Sequence, residues 1–434
     1  MSGVLVRVRE RFVAHRRIVR ATAVALVIAV AGGLSAGGVV AAHRLTAPLP
    51  AAGVVIHASR SIVLTEGGPP PITLPPTGSL AVVSSATGLL AAVSSDVPRP
   101  IASVAKTMTA FVVLQAEPLT TDAPGPVLTM TATDVALYRE AIAGQGSAVA
   151  VTAGERLSER DLLLMLMLPS ANNIAETLAR WVSGTRDTFV ARENAEAAAL
   201  GMQNTRFADP SGISPQTVSS AADLLKLARA AMAVPALAAV VATRNATLPD
   251  GTPLANLDIL LGSSPDWLGI KTGWTHQAGG CLLFAARHSY ATDAAPVTVY
   301  GAVLGQPPSA SADAQHPELG AAFATAQQVM KEAFAGYEAV NLATLMPGVT
   351  GTVSAPWGMS TGVAVHAARG VVVARLGTVL ATRLMTVTVG ATPGKGASVG
   401  RLVATVGAAT VVSWQLSTRV AISPPPWWWR LLHQ

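Results

Sequence analysis

The stretch Pro100-Ile101-Ala102-Ser103-Val104-Ala105-Lys106-Thr107-Met108-Thr109-Ala110-Phe111-Val112-Val113-Leu114 decides how this chain is read. After Ser103 it has few breakers and apolar residues at helical spacing, which predicts a buried helix starting there, with Pro100 just before the start. Positions i and i+3 share a helix face, so the Ser103 hydroxyl and the Lys106 amine can meet. A serine hydroxyl is a weak nucleophile until a base takes its proton. Lysine can be that base when burial and neighbouring cations lower its pKa, and arginine cannot. The helix N-terminus also favours negative charge developing beside Ser103. Ser-x-x-Lys alone recurs by chance. Lysine usage adds weight: of 30 basic residues only five are lysine, namely Lys106, Lys226, Lys271, Lys331 and Lys395. A sequence that otherwise uses arginine for positive charge needs a reason to place lysine deep in an apolar helix.

The 434 residues suffice for two or three domains, and 50% hydrophobic with 12% charged residues is too apolar for a disordered chain. The net charge of +6 is not a nucleic-acid footprint, because much of it sits in Arg7, Arg9, Arg11, Arg16, Arg17 and Arg20, opposed only by Glu10; no nucleic-acid partner is expected. An uncharged run from Ala21 to Ala42 comes next, ending at His43-Arg44. Arginines before such a run predict a cytoplasmic N-terminus and export of the chain beyond the run. Val40-Ala41-Ala42 offers small residues to a signal peptidase, while the long basic leader and full spanning length favour a retained anchor. Gly32-Gly33 and Gly37-Gly38 argue against a helix buried in a soluble core. The expected location is the cell membrane, single-pass with the rest extracytoplasmic, or secreted if the segment is cleaved. The single cysteine, Cys281, excludes an internal disulfide and a cysteine metal cluster. It lies in an apolar strand, Gly279 to Ala286, and reads as a packed small hydrophobe. No metal or cofactor is expected.

In chain order, residues 1–20 read as a cytoplasmic basic leader, 21–42 as a transmembrane helix or signal segment and 43–78 as a Pro-rich linker stiffened by Pro69-Pro70-Pro71 and Pro75-Pro76. Ser79 to Val83 and Leu89 to Val93 read as a hairpin around Thr87-Gly88. Ser158 with Asp161 resembles a capping box, ahead of an all-round apolar helix that ends at Pro169. Ser219 or Ser220 caps a helix to about Met232, and helix-poor segments are expected after it. Strands are expected near Gly269 to Thr275, at Leu282 to Ala286 and at Val297 to Leu304, then a helix over 318–336. Residues 79–338 thus read as one domain, the one that holds Ser103 and Lys106 and so the candidate catalytic domain. From about Val340 short Val-, Thr- and Gly-rich runs predict an all-β module, 339–423, with strands at Gly351 to Ser354, Gly362 to His366, Met385 to Gly390, Leu402 to Gly407 and Arg419 to Ile422. In the tail, 424–434, Trp427-Trp428-Trp429 beside Arg430 reads either as a membrane-interface foot or as packing onto the β-module.

Ser170-x-Asn172 begins 67 residues after Ser103 and Lys271-Thr272-Gly273 begins 168 after it (170 − 103 and 271 − 103). Each is weak alone. Together, in this order, on helix start, loop and strand, they resemble the Ser-x-x-Lys, Ser-x-Asn, Lys-Thr-Gly triplet of penicillin-binding proteins and serine β-lactamases. Ile101-Ala102-Ser103 to Ala110, Pro169 to Ala175, Gly269 to Thr275 with Ala278-Gly279, Pro210-Ser211-Gly212 and Ser219 to Leu224 are similar to the serine D-Ala-D-Ala carboxypeptidases, the low-molecular-mass penicillin-binding proteins. The resemblance covers about 79–305 and fades over the β-module. It implies an α+β fold: a penicillin-binding-protein/serine β-lactamase-like catalytic domain with a small C-terminal all-β module, preceded by one membrane-spanning helix or signal segment.

The resemblance implies that Ser103 attacks the carbonyl between two D-alanines of a peptidoglycan stem peptide and that Lys106 takes its proton. It implies that Ser170 relays a proton to the leaving amine and that Asn172 orients the relay and the substrate amide. Lys271 and Thr272 would hold the terminal carboxylate, on the substrate-binding strand that continues through Gly273, Trp274 and Thr275. The backbone N–H groups of Ser103 and Trp274 would form the oxyanion hole. Implied partners are stem peptides ending in D-Ala-D-Ala, β-lactams as inhibitors, and the membrane through the N-terminal helix and, on one reading, the Trp cluster. Val104-Ala105 stands where Leu-Thr is commoner, and both are expected off the catalytic face. The arginine many relatives place near the substrate carboxylate is missing from Asn256 to Asp258 and from Gly305 to Pro308, so either that affinity is weaker or another arginine serves. His276 reads as an exposed turn residue, since the chemistry already has a base. A β-lactamase of the Glu-water type needs a glutamate that Asn204 to Gln216 lacks. D,D-endopeptidase or transpeptidase use of the same site stays open, and a catalytically silent wall-binding protein is disfavoured by the intact triplet.

Overall fold

The structure is a computed structural model and describes residues 2–121, 123–309 and 315–434; the side chains of residues 2–14, with Arg7, Arg9, Glu10 and Arg11, lie outside the described residues. The chain forms two compact units, Val63–Asn341 with Gly370–Thr378, and Met1–Ile62 with Leu342–Arg369 and Val379–Gln434.

The first unit is built on a five-stranded antiparallel sheet, in the order Trp267–Thr275, Gly279–His288, Val297–Gln306, Ser79–Ser84, Gly88–Val93. Its strands are apolar almost without alternation because helices cover both faces, and period two then sorts side chains between two cores. Leu80, Val82, Leu282 and Phe284 go to one face, where Phe323, Ala326 and Val329 of a long helix meet them. Ala81, Cys281, Leu283 and Ala285 go to the other, under the remaining helices. Each fully buried Leu, Val or Phe contributes about 1.5–3 kcal/mol. The expected hairpin around Thr87-Gly88 is present as Ser79–Ser84 and Gly88–Val93.

The helices begin with α1 (Ser2–Thr46): α2 is Lys106–Ala116, α3 Ala132–Ala143, α4 Glu159–Met167, α5 Asn172–Ser183, α6 Arg186–Ala199, α7 Ala221–Met232, α8 Pro235–Val241, α9 Pro317–Ala335 and α10 Trp427–His433. Ser158 caps α4 through a reciprocal pair with Asp161: Asp161 N–H donates to Ser158 Oγ at 3.1 Å, and Ser158 N–H to the carboxylate at 3.0 Å. Ser220 caps α7. Three expectations need correction here. The α-helix begins at Lys106 and not at Ser103, which sits on a preceding 3₁₀ turn, Ala102–Ala105. The stretch after α7 expected to be helix-poor holds α8, which Pro235 starts at a position where its missing N–H costs nothing. Helix α9 starts one residue earlier than 318, also at a proline.

The second unit carries a seven-stranded sheet, in the order Gly53–Ala58, Val349–Ser354, Ser360–Val365, Ala409–Thr418, Ser398–Val406, Val379–Thr386, Ser61–Val63. Two of these strands come from residues 43–78, read from sequence as a linker. Val54 and Ile56 alternate inward and pack against the cluster of Val353, Val363 and Leu416. The proline run governed the reading of the whole stretch, yet it limits regular structure only over its own length. Arg419 to Ile422 is not a strand either; the strand ends at Thr418. Helix α1 contains the only described segment, His15–Thr46, long and apolar enough by itself to cross a membrane. Helix α10 lies against its end: Arg44 Nη1 donates to the Leu431 carbonyl at 2.6 Å, and Gln434 Nε2 to that of Pro48 at 3.0 Å. The packing reading of the tail finds a residue. Trp429 is buried against Trp357, with ring centroids 5.7 Å apart, whereas Trp427 and Trp428 are exposed.

Candidate active site

The site forms where the Ala102–Ala105 turn meets the Trp267–Thr275 strand. Ala102 holds φ = +46° and Ser170 φ = +66°, two non-glycine residues in the left-handed region on either side of the cluster. Such strain persists only where the surroundings over-determine it. The turn leaves Ser103 half-buried and open to a cleft of about 340 Å³, which Asn172, Gly212, Trp274, Thr275 and His276 also line. Lys106, the first residue of α2, is fully buried.

Lys106 Nζ has three partners: Ser103 Oγ at 2.7 Å, Asn172 Oδ1 at 2.7 Å and the Ser211 carbonyl at 2.8 Å. The amide and carbonyl oxygens can only accept. A neutral amine has two N–H bonds, which those oxygens use up, and its lone pair then faces the Ser103 hydroxyl as acceptor. Burial lowers the Lys106 pKa well below the ordinary lysine range, and the Lys271 charge lowers it further, against Asp209 and Glu176. The three contacts equally suit an ammonium with three N–H donors; it is burial, by lowering the pKa, that favours the neutral amine.

Asn172 opens α5, and its N–H donates to Ser147 O at 2.7 Å. Its neighbour Asn173 bonds Val149 through both ends of its amide, at 3.2 and 2.9 Å, so the 147–149 segment is fastened to the same helix start. Ser170 is buried, and its hydroxyl has no protein partner among the described residues. Lys271 and Thr272 are buried on the strand, opposite Leu283 and Leu282. Burial brings the Lys271 ammonium down to about 7, opposed by Asp258. Asp258 is itself raised by burial to about 6, although Trp267 Nε1 donates to it at 2.9 Å. Gly273 is where the strand touches the turn: a Cβ there would lie 2.9 Å from each of Ile101 O, Ser103 N and Val104 N.

Hydrogen bonds thus bring Ser103, Lys106 and Asn172 together, and Trp274 and Thr275 share their cleft. Ser170, Lys271 and Thr272 make no hydrogen bond to that trio. His276 is exposed in the turn after the strand, as expected, with its ring against Trp274 at 4.8 Å. Among the described residues no arginine lines the cleft, nor do Lys271 and Thr272, while Arg180 and Arg186 line an adjoining pocket that shares Asn172 and Ile213. Sequence reading missed the Ser211 carbonyl, because a backbone acceptor leaves no residue-type signal. It also missed the cleft wall at Gln145, Gly146 and Ser147.

Residues 76–301 match the peptidase family described as D-alanyl-D-alanine carboxypeptidase. The chain is 34% identical over 213 residues to the D-alanyl-D-alanine endopeptidase of Pseudomonas aeruginosa, covering 48% of this chain and 66% of that one. It is 34% identical over 204 residues to the D-alanyl-D-alanine carboxypeptidase DacB2 of Mycobacterium tuberculosis, covering 46% and 66%. The chain therefore spans just under two thirds of these relatives' lengths. The crystal structure of the Streptomyces K15 DD-transpeptidase superposes with a TM-score of 0.51 at 28% identity, over 61% of this chain and 100% of that one. The penicillin-binding-protein architecture expected from the motif triplet is the one found. With the match covering more than half of its residues, this chain belongs to the D-alanyl-D-alanine carboxypeptidase family of serine peptidases.

Proposed function

We propose that the chain is a serine D,D-peptidase that removes the terminal D-alanine from peptidoglycan stem peptides through an acyl-enzyme on Ser103. The observation that carries this reading is the 2.7 Å contact between Ser103 Oγ and the Nζ of a fully buried Lys106. In the first step Ser103 Oγ attacks the carbonyl between the two D-alanines and Lys106 takes the hydroxyl proton. The oxyanion is received by the N–H groups of Ser103 and Trp274. A proton returns through Ser170 to the leaving amine as the C–N bond breaks, releasing D-alanine. Asn172 orients this relay and the substrate amide. Lys271, with Thr272 and the strand through Gly273, Trp274 and Thr275, holds the terminal carboxylate. Water then attacks the ester, Lys106 accepts its proton, and Ser103 is regenerated.

A β-lactam mimics the acyl-D-Ala-D-Ala terminus, so penicillin is expected to acylate Ser103. Intact mass should rise by one drug molecule and stay unchanged in Ser103→Ala; an unmodified wild type at high drug concentration would sink the enzyme reading. Because relatives carry both carboxypeptidase and endopeptidase names, purified pentapeptide and cross-linked dimers should be offered side by side. Release of D-alanine from the pentapeptide is the expected main activity, and dimer cleavage without it would favour the endopeptidase.

We further propose a single-pass topology with the N-terminus in the cytoplasm, supported by the arginine cluster before Ala21 and the apolar His15–Thr46 helix. Protease added outside spheroplasts should digest the part after Arg44. Full protection with the membrane intact would overturn the assignment.

A further inference from the structure

Behind Lys106 lies a carboxyl group for which the proposed reaction has no use. Glu193, midway along α6, is completely buried. Its Oε1 is 2.8 Å from Thr109 Oγ1 on α2, and its Oε2 meets no hydrogen-bonding protein atom among the described residues. Thr109 Oγ1 is also 2.6 Å from the Pro210 carbonyl. A hydroxyl carries one proton, and a carbonyl can only accept. If the Thr109 proton goes to Pro210, the shorter contact, the bond to Glu193 needs its proton from the carboxyl. An ionised carboxylate would instead lie buried with no charged partner in hydrogen-bond range, a costly arrangement.

The segment this chain of bonds reaches is held from several sides. Asn194, the next residue of α6, bonds both ends of the Phe207 backbone, donating to its carbonyl at 2.8 Å and accepting from its N–H at 2.9 Å. The Asp209 carboxylate accepts from Ser211 Oγ at 2.6 Å, Thr217 Oγ1 at 2.5 Å and Ile213 N at 2.9 Å. Beside Pro210 is Ser211, whose carbonyl receives Lys106 Nζ.

We propose that Glu193 is a positioning residue: as a neutral carboxylic acid it donates to Thr109, and through that hydroxyl it fixes the Pro210–Ser211 backbone on which Lys106 is aimed. The surrounding charges favour the neutral form. Burial raises the Glu193 pKa well above the carboxylate range; Asp209 of the loop and Glu176 of α5 raise it further, against the Thr109 hydrogen bond and Arg186 of α6. Lys106 lies one turn before Thr109 on α2. Because the folded pKa is raised, the clamp is intact below it and lost as pH rises through it. The ionised carboxylate would then compete with Pro210 for the Thr109 proton.

The inference rests on the D,D-peptidase reading for its kinetic readout, penicillin acylation of the full chain. Glu193→Gln keeps a donor and cannot ionise, so near neutral pH it should acylate within about threefold of wild type and hold its rate to higher pH. Glu193→Leu and Thr109→Val break the chain of bonds and should slow acylation about tenfold, since small displacements of catalytic groups are costly. Melting and circular dichroism establish that the variants are folded. The infrared spectrum of wild type at neutral pH should show a protonated carboxyl band that Glu193→Gln lacks. Absence of that band, or wild-type rates in both folded Glu193→Leu and Thr109→Val, overturns the proposal. A wild type that penicillin does not acylate defeats the peptidase reading instead, and the infrared band still decides the protonation of Glu193.

Discussion

Lys106→Arg is expected to abolish acylation of Ser103 while leaving the fold intact. Three oxygens, Ser103 Oγ, Asn172 Oδ1 and Ser211 O, converge on Lys106 Nζ within 2.7–2.8 Å, all reached by one small amine in a fully buried site. Arginine retains the positive charge and can donate to Asn172 and Ser211. It cannot present a lone pair to Ser103, because its pKa lies above about 12. Its planar fork is also larger than an amine in a pocket closed by the Pro210–Ser211 backbone. Losing general-base assistance alone costs about two to four orders of magnitude in rate. Lys271→Arg is the control. Lys271 is proposed to act as a charge for a carboxylate, and arginine pairs with carboxylates, so its acylation should fall far less. Both variants must match wild type in circular dichroism and melting. Near-normal acylation by folded Lys106→Arg would remove Lys106 from the mechanism and leave Ser103 without a base.

Both lysines stood out in the sequence, because residue type and spacing report on side chains. Ser103, Lys106 and Asn172 converge as their motifs implied, and the five-stranded sheet matches the apolar runs that predicted it. The features that escaped reading have physical causes in common. The Ser211 carbonyl that receives Lys106 belongs to the backbone, which any residue could supply. Glu193 and Thr109 act through a buried proton whose position depends on who else is nearby in three dimensions. The strand Gly53–Ala58 was hidden because it pairs with Val349–Ser354, some 290 residues away (about 349 − 58), and prolines nearby gave the stronger local signal. The start of α2 slipped from Ser103 to Lys106 because Ala102 takes a left-handed φ that composition does not announce.

Gly273→Ala is expected to cost nearly as much as Lys106→Arg, without touching a reacting group. The Lys-Thr-Gly motif reads as a charge followed by two small residues, and the structure gives the third position a steric reason. A Cβ at Gly273 would lie 2.9 Å from Ile101 O, Ser103 N and Val104 N together. All three are backbone atoms of the nucleophile turn, so no rotamer change relieves the clash; either the strand or the turn must move. The turn is already constrained by Ala102 at φ = +46°, and Gly212 packs beneath it at φ = +77°, where a Cβ would sit 1.9 Å from Ala102 O. From Gly269 to Thr275 the strand is held in register with Gly279 to Ala285. Separating them by a few tenths of an ångström to an ångström moves the Ser103 N–H relative to Trp274, the two donors proposed for the oxyanion. Displacement on that scale can cost about 10²-fold in rate, and loss of one oxyanion donor costs about 10²–10³-fold. Stability should fall as well, so acylation is compared at a temperature well below the variant's melting point. The expected signature is a slow acylation rate at saturating penicillin with the Ser103–Lys106 pair chemically intact, so the label still appears after long incubation. A folded Gly273→Ala that acylates at the wild-type rate would show that the strand and the turn part without consequence, and would take the oxyanion role away from this contact.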